Sequence, residues 1–360
     1  MEFNWYKKEL REKYNLLQKL YRTTNNDIEK IKIFNTMQVI ESCLSRELVP
    51  GEIEILLEQD YLELTKSKFI WPYIKEISMI NNDFIPSFDS NREIQFSKKD
   101  IIELLHDFFK NGTNKEIYEL FSKIYKENIK NIHFLDNFET NYLGETIFLD
   151  YFKKTYIQVF KRNSFEDLTT FAHEFGHAIQ FNLNFKNSLF KELNTYIEII
   201  SVFFELICNE YFAKTELKKP STINSYYILD ENLENAKNLN NEFILLNAIS
   251  ITPFENKIQL RKNIDELAEN LSQDDVNNIM YLKPGSDYIY VFAFLVATNL
   301  FTIYKMDRDK AFYLVNKIIN LSGHLTCEEY FHELEKLELL DANKTQDYTN
   351  FIHNRSRKLK

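Results

Sequence analysis

The sequence predicts a mainly α-helical protein with a small antiparallel β element, and three observations favour this fold class. Only six glycines and six prolines interrupt 360 residues, which indicates long helices and few tight turns. Apolar side chains recur with the helical period along most of the chain. Residues 139–161 differ from the rest, because β-branched and aromatic residues dominate there.

The composition bounds the class of protein. Hydrophobic residues make up 44% of the chain, enough for a large core in one elongated domain or in two lobes. The net charge is −10, and basic residues are scattered among acidic ones. Because no basic stripe is present, we expect no nucleic-acid partner, and the acidity is best explained by solubility.

Cysteine usage and apolar segments indicate the compartment. Cys43, Cys208 and Cys327 lie far apart and in no C-x-x-C arrangement, so we expect neither a disulfide framework nor a cysteine zinc site. The N-terminal residues lack the apolar core of a secretory signal. The longest apolar run, residues 288–304, contains two threonines and an asparagine. We therefore expect a buried helix in place of a membrane span, and a cytoplasmic protein.

The N-terminal part of the chain has the apolar pattern of amphipathic helices. Capping-box patterns begin at Ser97 and at Thr113, and Gly112 can close the helix between them. The predicted helices cover residues 1–22, 25–47, 98–111 and 114–127.

The β element lies in residues 139–161. Two or three antiparallel strands are predicted there, with residues 146–149 and 155–160 as the clearest. The free edge of such a strand can pair with an extended peptide. The element therefore either binds a peptide substrate or is an ordinary structural hairpin.

The pattern H-E-x-x-H follows directly, in a segment with a helical apolar period. Side chains four residues apart on a helix have Cβ atoms roughly 5–6 Å apart, so His173 and His177 can direct two imidazole nitrogens at one zinc ion. Glu174 is rotated by about 100° from His173 and can accept a proton from the attacking water. The alternative is that the two histidines line an ordinary helix.

A catalytic zinc needs a third protein ligand, normally from another helix. Residues 188–215 predict that helix, and Glu198 lies there among isoleucine, valine and phenylalanine residues, where an unpaired carboxylate is costly. Ser201 and Glu205 share its face, and Glu205 lies about 10.5 Å farther along the axis. Both suit a supporting role behind the metal ligands, although a salt bridge is the alternative for Glu205. Glu210 has more polar neighbours and is a weaker ligand candidate.

These residues resemble the thimet oligopeptidase and oligoendopeptidase F family of gluzincin zinc peptidases. H-E-F-G-H is followed after twenty residues by E-x-x-S-x-x-x-E. The run from Thr155 to Ala172 is similar to the family's edge strand and its approach into the zinc helix. The segment from Tyr290 to Phe294 resembles the family's aromatic Y-V-Y-Q-Y segment. The resemblance covers about residues 131–355.

The resemblance implies a zincin-type two-helix zinc site in a cleft between two helical lobes. It implies that His173, His177 and Glu198 bind one Zn²⁺ ion per chain and that Glu174 is the general base. It also implies that a tyrosine of the late aromatic segment stabilises the oxyanion, and Tyr288 and Tyr290 are both candidates.

Three departures from the family pattern bear on function. Gln180 stands where the family often has a further histidine. Residues 284–287 contain no histidine, although the family has one shortly before the tyrosine segment. Family members also carry a much longer N-terminal lobe. Residues 1–130 would be a shortened helical lobe ahead of a catalytic region at 131–360, so selection of substrates by size is expected to differ.

Together these features predict a zinc-dependent endopeptidase that hydrolyses oligopeptides bound as extended strands. One alternative is a dedicated processing peptidase for a single leader or signalling peptide, since a short N-terminal lobe could admit a special substrate. The other is a non-catalytic, zinc-containing peptide-binding protein, motivated by the missing histidine near the tyrosines. The presence of Glu174 favours an enzyme, because a site without catalysis has little use for it.

Overall fold

The computed structural model describes most of the chain. The described parts are residues 2–45, 70–82, 96–135, 143–149, 152, 154–183, 197–251, 287–321, 325 and 327–359. Residues 188–196, where the second zinc helix was predicted to begin, and residues 284–286 lie outside them.

Helices dominate the described residues, and a small sheet interrupts them, which confirms the mainly helical fold class. The helices are α1 (Glu2–Thr23), α2 (Asp27–Ser45), α3 (Ile70–Ser78), α4 (Lys98–Gly112), α5 (Lys115–Asn128), α6 (Glu166–Leu183), α7 (Ile197–Phe212), α8 (Lys218–Ile251), α9 (Asp287–Met306), α10 (Arg308–Leu321), α11 (Cys327–Lys336) and α12 (Ala342–Arg357). The strands are β1 (Ile132–Leu135), β2 (Gly144–Leu149) and β3 (Lys154–Phe160), and a 3-10 turn, Ile129–Asn131, precedes β1.

The chain divides into two compact units, and each is discontinuous in sequence. The first unit comprises Met1–Glu54 and Arg92–Lys186, and the second comprises Ile55–Asn91 and Asn187–Lys360. The boundary between lobes at residue 130 stays a prediction.

The sheet of the first unit has the order β1-β3-β2. Strands β2 and β3 pair antiparallel, with Thr146 opposite Ile157, which confirms the predicted antiparallel element. Strand β1 runs parallel to β3, with Phe134 opposite Val159. Strand β1 thus precedes the predicted window, and β3 lies in the centre of the sheet. The prediction of a free edge on the strand at residues 155–160 is wrong, because β1 and β2 pair with its two sides and the edge strand is β2.

Helices α1 and α2 pack on one face of the sheet. Tyr14, Tyr21 and Phe34 form a buried core with Tyr156 of β3. The hydroxyl oxygens of Tyr14 and Tyr156 are 3.2 Å apart, and Gln18 Nε2 donates to Tyr156 at 2.8 Å. Burial raises the pKa of both tyrosines. These contacts satisfy polar groups in an otherwise apolar layer.

The predicted helical hairpin corresponds to α4 and α5. Ser97 Oγ accepts from the backbone N–H of Asp100 at 3.2 Å, and the Asp100 carboxylate accepts from the backbone N–H of Ser97 at 2.9 Å, as the capping box predicts. The prediction of a second capping box that begins at Thr113 is wrong by one residue. Asn114, and not Thr113, caps α5 by accepting from the backbone N–H of Ile117 at 3.0 Å. Asparagine is among the strongest N-cap residues.

Helix α9 is the packing centre of the second unit. It contacts α7, α8, α10 and α12, and residues 291–300 are all buried. Among the described helices, this one alone has the length and hydropathy of a membrane span, over Ile289–Met306, but 61% of that window is buried in the protein. Such burial is typical of a core helix.

A buried carboxylate joins three helices of the second unit. Glu210 on α7 is 2% exposed and forms ion pairs with Lys305 of α9 and Arg355 of α12, and with Lys214 at 3.2 Å. Burial raises the pKa of Glu210, but the charges and hydrogen bonds of Arg355 and Lys305 outweigh that effect and lower the pKa overall. This cluster explains why Glu210 is a structural residue.

Glu210→Gln should lower the free energy of unfolding by about 3 kcal/mol, because Arg355 and Lys305 lose their counter-charge in a buried site. Urea unfolding measures the loss. Glu119→Gln is the matched control, since Glu119 forms only an exposed pair with Lys115 at 3.7 Å and should cost less than about 0.5 kcal/mol.

The Glu210 cluster should also make stability depend on pH. Because the pKa of Glu210 is lower in the folded chain than its ordinary value of 4.5, the cluster stabilises the fold above that value. The contribution is lost as the pH falls through the folded pKa. Between pH 7 and pH 3, Tm should therefore fall less in Glu210→Gln than in the wild type, and a parallel fall in the two proteins would contradict this account.

Candidate metal centre

The connection from β3 into α6 positions the H-E-x-x-H motif. The Asp167 carboxylate accepts from the backbone N–H groups of Arg162 at 2.7 Å and Asn163 at 3.0 Å, and Asn163 has a φ of 57°. Burial raises the pKa of Asp167, although these hydrogen bonds act in the opposite direction. Ser164 Oγ accepts from the backbone N–H of Glu166 at 3.2 Å. The turn thus closes tightly and starts α6 at a fixed angle.

Aromatic packing fixes α6 in the first unit. Phe175 contacts Phe121 of α5 and Phe109 of α4, with ring centroids 4.7 and 5.9 Å apart. Phe171 meets Phe134 of β1 at 5.0 Å. These rings lie on the face of α6 that packs into the core, so rotation of the helix about its axis would break several aromatic contacts.

His173 and His177 lie one turn apart on α6. Their ring centroids are 5.0 Å apart with an interplanar angle of 76°, and each ring offers one nitrogen within 4.8 Å of the other. His173 is half-buried, and His177 is 7% exposed. This is the pairwise arrangement that the spacing of the motif predicts.

Glu174 lies between α6 and β2. It is 5% exposed, and the Thr146 hydroxyl of β2 donates to its backbone carbonyl at 2.9 Å. A Cβ atom at position 144 would lie 2.6 Å from Glu174 Oε1 and 2.8 Å from Thr170 Cγ2. The φ of Gly144 is not in the left-handed region, so space alone requires glycine there.

Gly144 is the residue of this site that the sequence analysis missed. An isolated glycine at the beginning of a strand pattern is a known signal for close backbone approach. The signal does not name the opposing residue, because the contact joins positions 144 and 174, which are distant in sequence.

In the second unit, Glu198 lies in the first turn of α7 and is half-buried. Ser201 is fully buried, and its hydroxyl lies 3.1 Å from Glu198 Oε2 and 2.9 Å from the Glu198 carbonyl oxygen, as donor to both. The hydroxyl therefore restrains the direction of the Glu198 carboxylate. Helical spacing of three residues explains why these two side chains meet.

The other predicted site residues also lie in the second unit. Glu205 is half-buried two turns beyond Glu198, and its charge adds to the effect of burial in raising the pKa of the Cys208 thiol. Tyr288 and Tyr290 lie in the first turn of α9, where Tyr290 is 42% exposed. Their proposed roles stay predictions.

The donor chemistry of the predicted ligands fits zinc. His173 and His177 of the first unit each offer an imidazole nitrogen, and Glu198 of the second unit offers a carboxylate oxygen. Two imidazoles and one carboxylate are the ligands of one known class of catalytic zinc site, which keeps a fourth position open.

Solved structures with this fold are named peptidases. A crystal structure from Bacillus anthracis str. Ames, provisionally named oligoendopeptidase F, matches with a TM-score of 0.51 and 13% identity over 92% of this chain and 64% of that one. A 3.1 Å X-ray structure, also provisionally named oligoendopeptidase F, has a TM-score of 0.50 and 13% identity over 97% and 66%. A structure from Chlamydophila abortus, provisionally named a peptidase, has a TM-score of 0.50 and 14% identity over 98% and 62%.

These matches concern the fold. The chain spans 62–66% of the length of the three solved structures. No description of a known protein family matches the chain, and no curated protein does. At 13–14% identity the likeness shows a shared fold alone, and the chemistry depends on the residues of the site.

Gly144→Ala should lower the free energy of unfolding by about 1–2 kcal/mol, because the added methyl group collides with Glu174 and Thr170. Chemical denaturation measures the loss. Thr170→Ser removes one of the two opposing groups, so Gly144→Ala should cost less in that background. A cost that is equal in both backgrounds would contradict the contact.

Proposed function

We propose that this protein is a zinc-dependent endopeptidase that hydrolyses oligopeptides bound as extended strands. In this proposal His173, His177 and Glu198 bind one zinc ion, and Glu174 is the general base. The observation that carries the proposal is the pair of imidazoles on α6, His173 and His177, whose ring centroids are 5.0 Å apart, with Glu174 one residue after the first of them.

Glu174 carries the proton transfer. A zinc ion at this set would supply two effects, polarisation of the scissile carbonyl and a lower pKa of the attacking water. Glu174 accepts the proton that the water releases and then donates it to the departing amine. Because its side chain is 5% exposed and strand β2 covers it, few competing waters reach the carboxylate.

Ser201 orients the proposed third ligand. Its hydroxyl donates to Oε2 of Glu198 and so restrains the direction of the carboxylate. A ligand whose direction is fixed by such a contact loses less freedom on binding. Glu205, which shares the helix face, is proposed to support a metal-bound imidazole in the same way.

Tyr288 or Tyr290 is proposed to donate a hydrogen bond to the oxyanion. Both lie in the first turn of α9, and the tyrosine hydroxyl is a donor near neutral pH. One correctly directed donor at the developing charge is worth on the order of 3 kcal/mol of transition-state stabilisation.

The likeness in fold to solved structures named oligoendopeptidase F supports the proposal, because that name denotes the same class of reaction. A dedicated processing peptidase for one peptide is a variant of the same chemistry.

Glu174→Gln should reduce cleavage of a fluorescence-quenched peptide library by a factor on the order of 10²–10⁴, with about one zinc ion per chain retained, because it removes the base and no ligand. Metal analysis of the same samples gives the zinc content. His177→Ala and Glu198→Ala should both lower that content.

Glu216→Ala is the matched control for Glu198→Ala, because Glu216 is exposed and follows α7. Zinc content that is unchanged in Glu198→Ala would contradict the third ligand. Zinc bound by a wild-type protein that cleaves no peptide would support the non-catalytic peptide-binding protein instead.

Tyr288→Phe and Tyr290→Phe should separate the two oxyanion candidates. The variant that loses the donor should show kcat lower by a factor on the order of 10²–10³ with KM little changed, and the other should behave like the wild type. Steady-state kinetics on one cleaved peptide decide between them. Two variants with wild-type kcat would exclude a tyrosine donor from this segment.

A further inference from the structure

Strand β2 is at the edge of the sheet. Its one strand partner among the described residues is β3. The backbone N–H of Phe160 donates to the carbonyl of Leu143 at 2.9 Å, which makes these residues a hydrogen-bonded pair. Because antiparallel pairs alternate, the backbone groups of Glu145 point towards β3, and those of Gly144 and Thr146 point to the open edge.

The two faces of β2 differ in the same alternating way. Gly144 and Thr146 face α6, where they contact Glu174. Ile147 and Leu149 face the core formed by α1 and α2. Glu145 shares that second face, but it lies at the exposed end of the strand. Glu145 thus lies next to Gly144, which contacts the proposed general base, while its own side chain points to the opposite face of the sheet.

Glu145 lacks a positive partner in the part of the chain that the structure describes. The residue is at the exposed end of β2, but its carboxylate is partly desolvated and accepts a hydrogen bond from Gln38 of α2. Loss of hydration raises the pKa of Glu145, the negative charge of Glu174 raises it further, and the contact with Gln38 acts in the opposite direction. A cationic side chain would offset both unfavourable effects.

A peptide paired antiparallel with the open edge of β2 would bond to the backbone of Gly144 and Thr146. The peptide residue opposite Glu145 would then occupy a non-hydrogen-bonded pair, in which Cα atoms are about 4.5 Å apart and side chains approach more closely. It would point to the same face as Glu145. Direct cross-strand pairs of opposite charge are favourable, and pairs of like charge are unfavourable.

We propose that Glu145 selects substrates with a lysine or arginine at the peptide position opposite it, close to the scissile bond. This inference rests on the proposed function, because it takes the peptide to be bound along β2. The overall charge of −10 acts in the same direction by attracting cationic peptides from a distance.

The test uses quenched peptides of one length in which a single lysine, glutamine or glutamate is moved through each position. The zinc-loaded wild type should cleave the lysine peptide about threefold to tenfold better than the glutamate peptide at one position, by kcat/KM. Glu145→Gln should remove the preference and Glu145→Lys should invert it at that same position. The preference of the wild type for the lysine peptide should be smaller at high salt, because salt screens the charge of Glu145.

Glu103→Lys is the matched control, since Glu103 is an exposed residue of α4 that pairs with Lys99 at 3.5 Å. It changes the net charge by the same amount and should leave the order of peptides unchanged. The inference would be overturned if Glu145→Lys left the ranking of the peptides by kcat/KM unchanged. It would also be overturned if Glu103→Lys changed that ranking as much as Glu145→Lys does.

Binding of the same peptides to Glu174→Gln, with and without Glu145→Lys, separates the two proposals. Suppose that the wild type cleaves no peptide, that the lysine peptide still binds with the lower Kd, and that Glu145→Lys inverts this preference. The proposed function then fails and the role of Glu145 stands. If peptides are cleaved with no such inversion, the role of Glu145 fails alone. Absence of both cleavage and binding would overturn both.

Discussion

A side chain at position 144 would collide with the carboxylate of Glu174, so strand β2 can lie where it does only because that residue is glycine. The rest of the candidate site in the first unit follows from this approach. The Thr146 hydroxyl donates to the backbone carbonyl of Glu174, and the Glu174 side chain is covered on one side by the backbone of β2. The open edge of β2 consequently begins beside Glu174.

Aromatic packing, and not the approach of β2, fixes the positions of the two histidines. Phe171 and Phe175 hold the inner face of α6 in an aromatic core, which leaves His173 on its half-buried side. The imidazoles therefore need little rearrangement to present two nitrogens together. In the second unit, burial of Ser201 beneath the Glu198 carboxylate achieves a comparable restraint with one hydroxyl.

Local patterns carried most of what the sequence could predict. The capping box at Ser97, the helix with H-E-x-x-H and the contact between Ser201 and Glu198 all depend on spacings of three or four residues. The parallel strand β1 and the packing of Gly144 could not be predicted in this way, because each joins segments separated by more than twenty residues. The cap at Asn114 was missed because two adjacent residues both favour that position.

The buried tyrosines give the fold an alkaline limit. Tyr21 in the first unit and Tyr330 and Tyr348 in the second are almost fully enclosed, and burial raises the pKa of each. Tyr304 is partly enclosed, and its pKa is raised to about 12. Above the ordinary value of 10 the unfolded chain can ionise these phenols while the folded chain cannot, so hydroxide favours unfolding. The hydroxyls that pack the interior at neutral pH thus become proton donors that oppose folding in base.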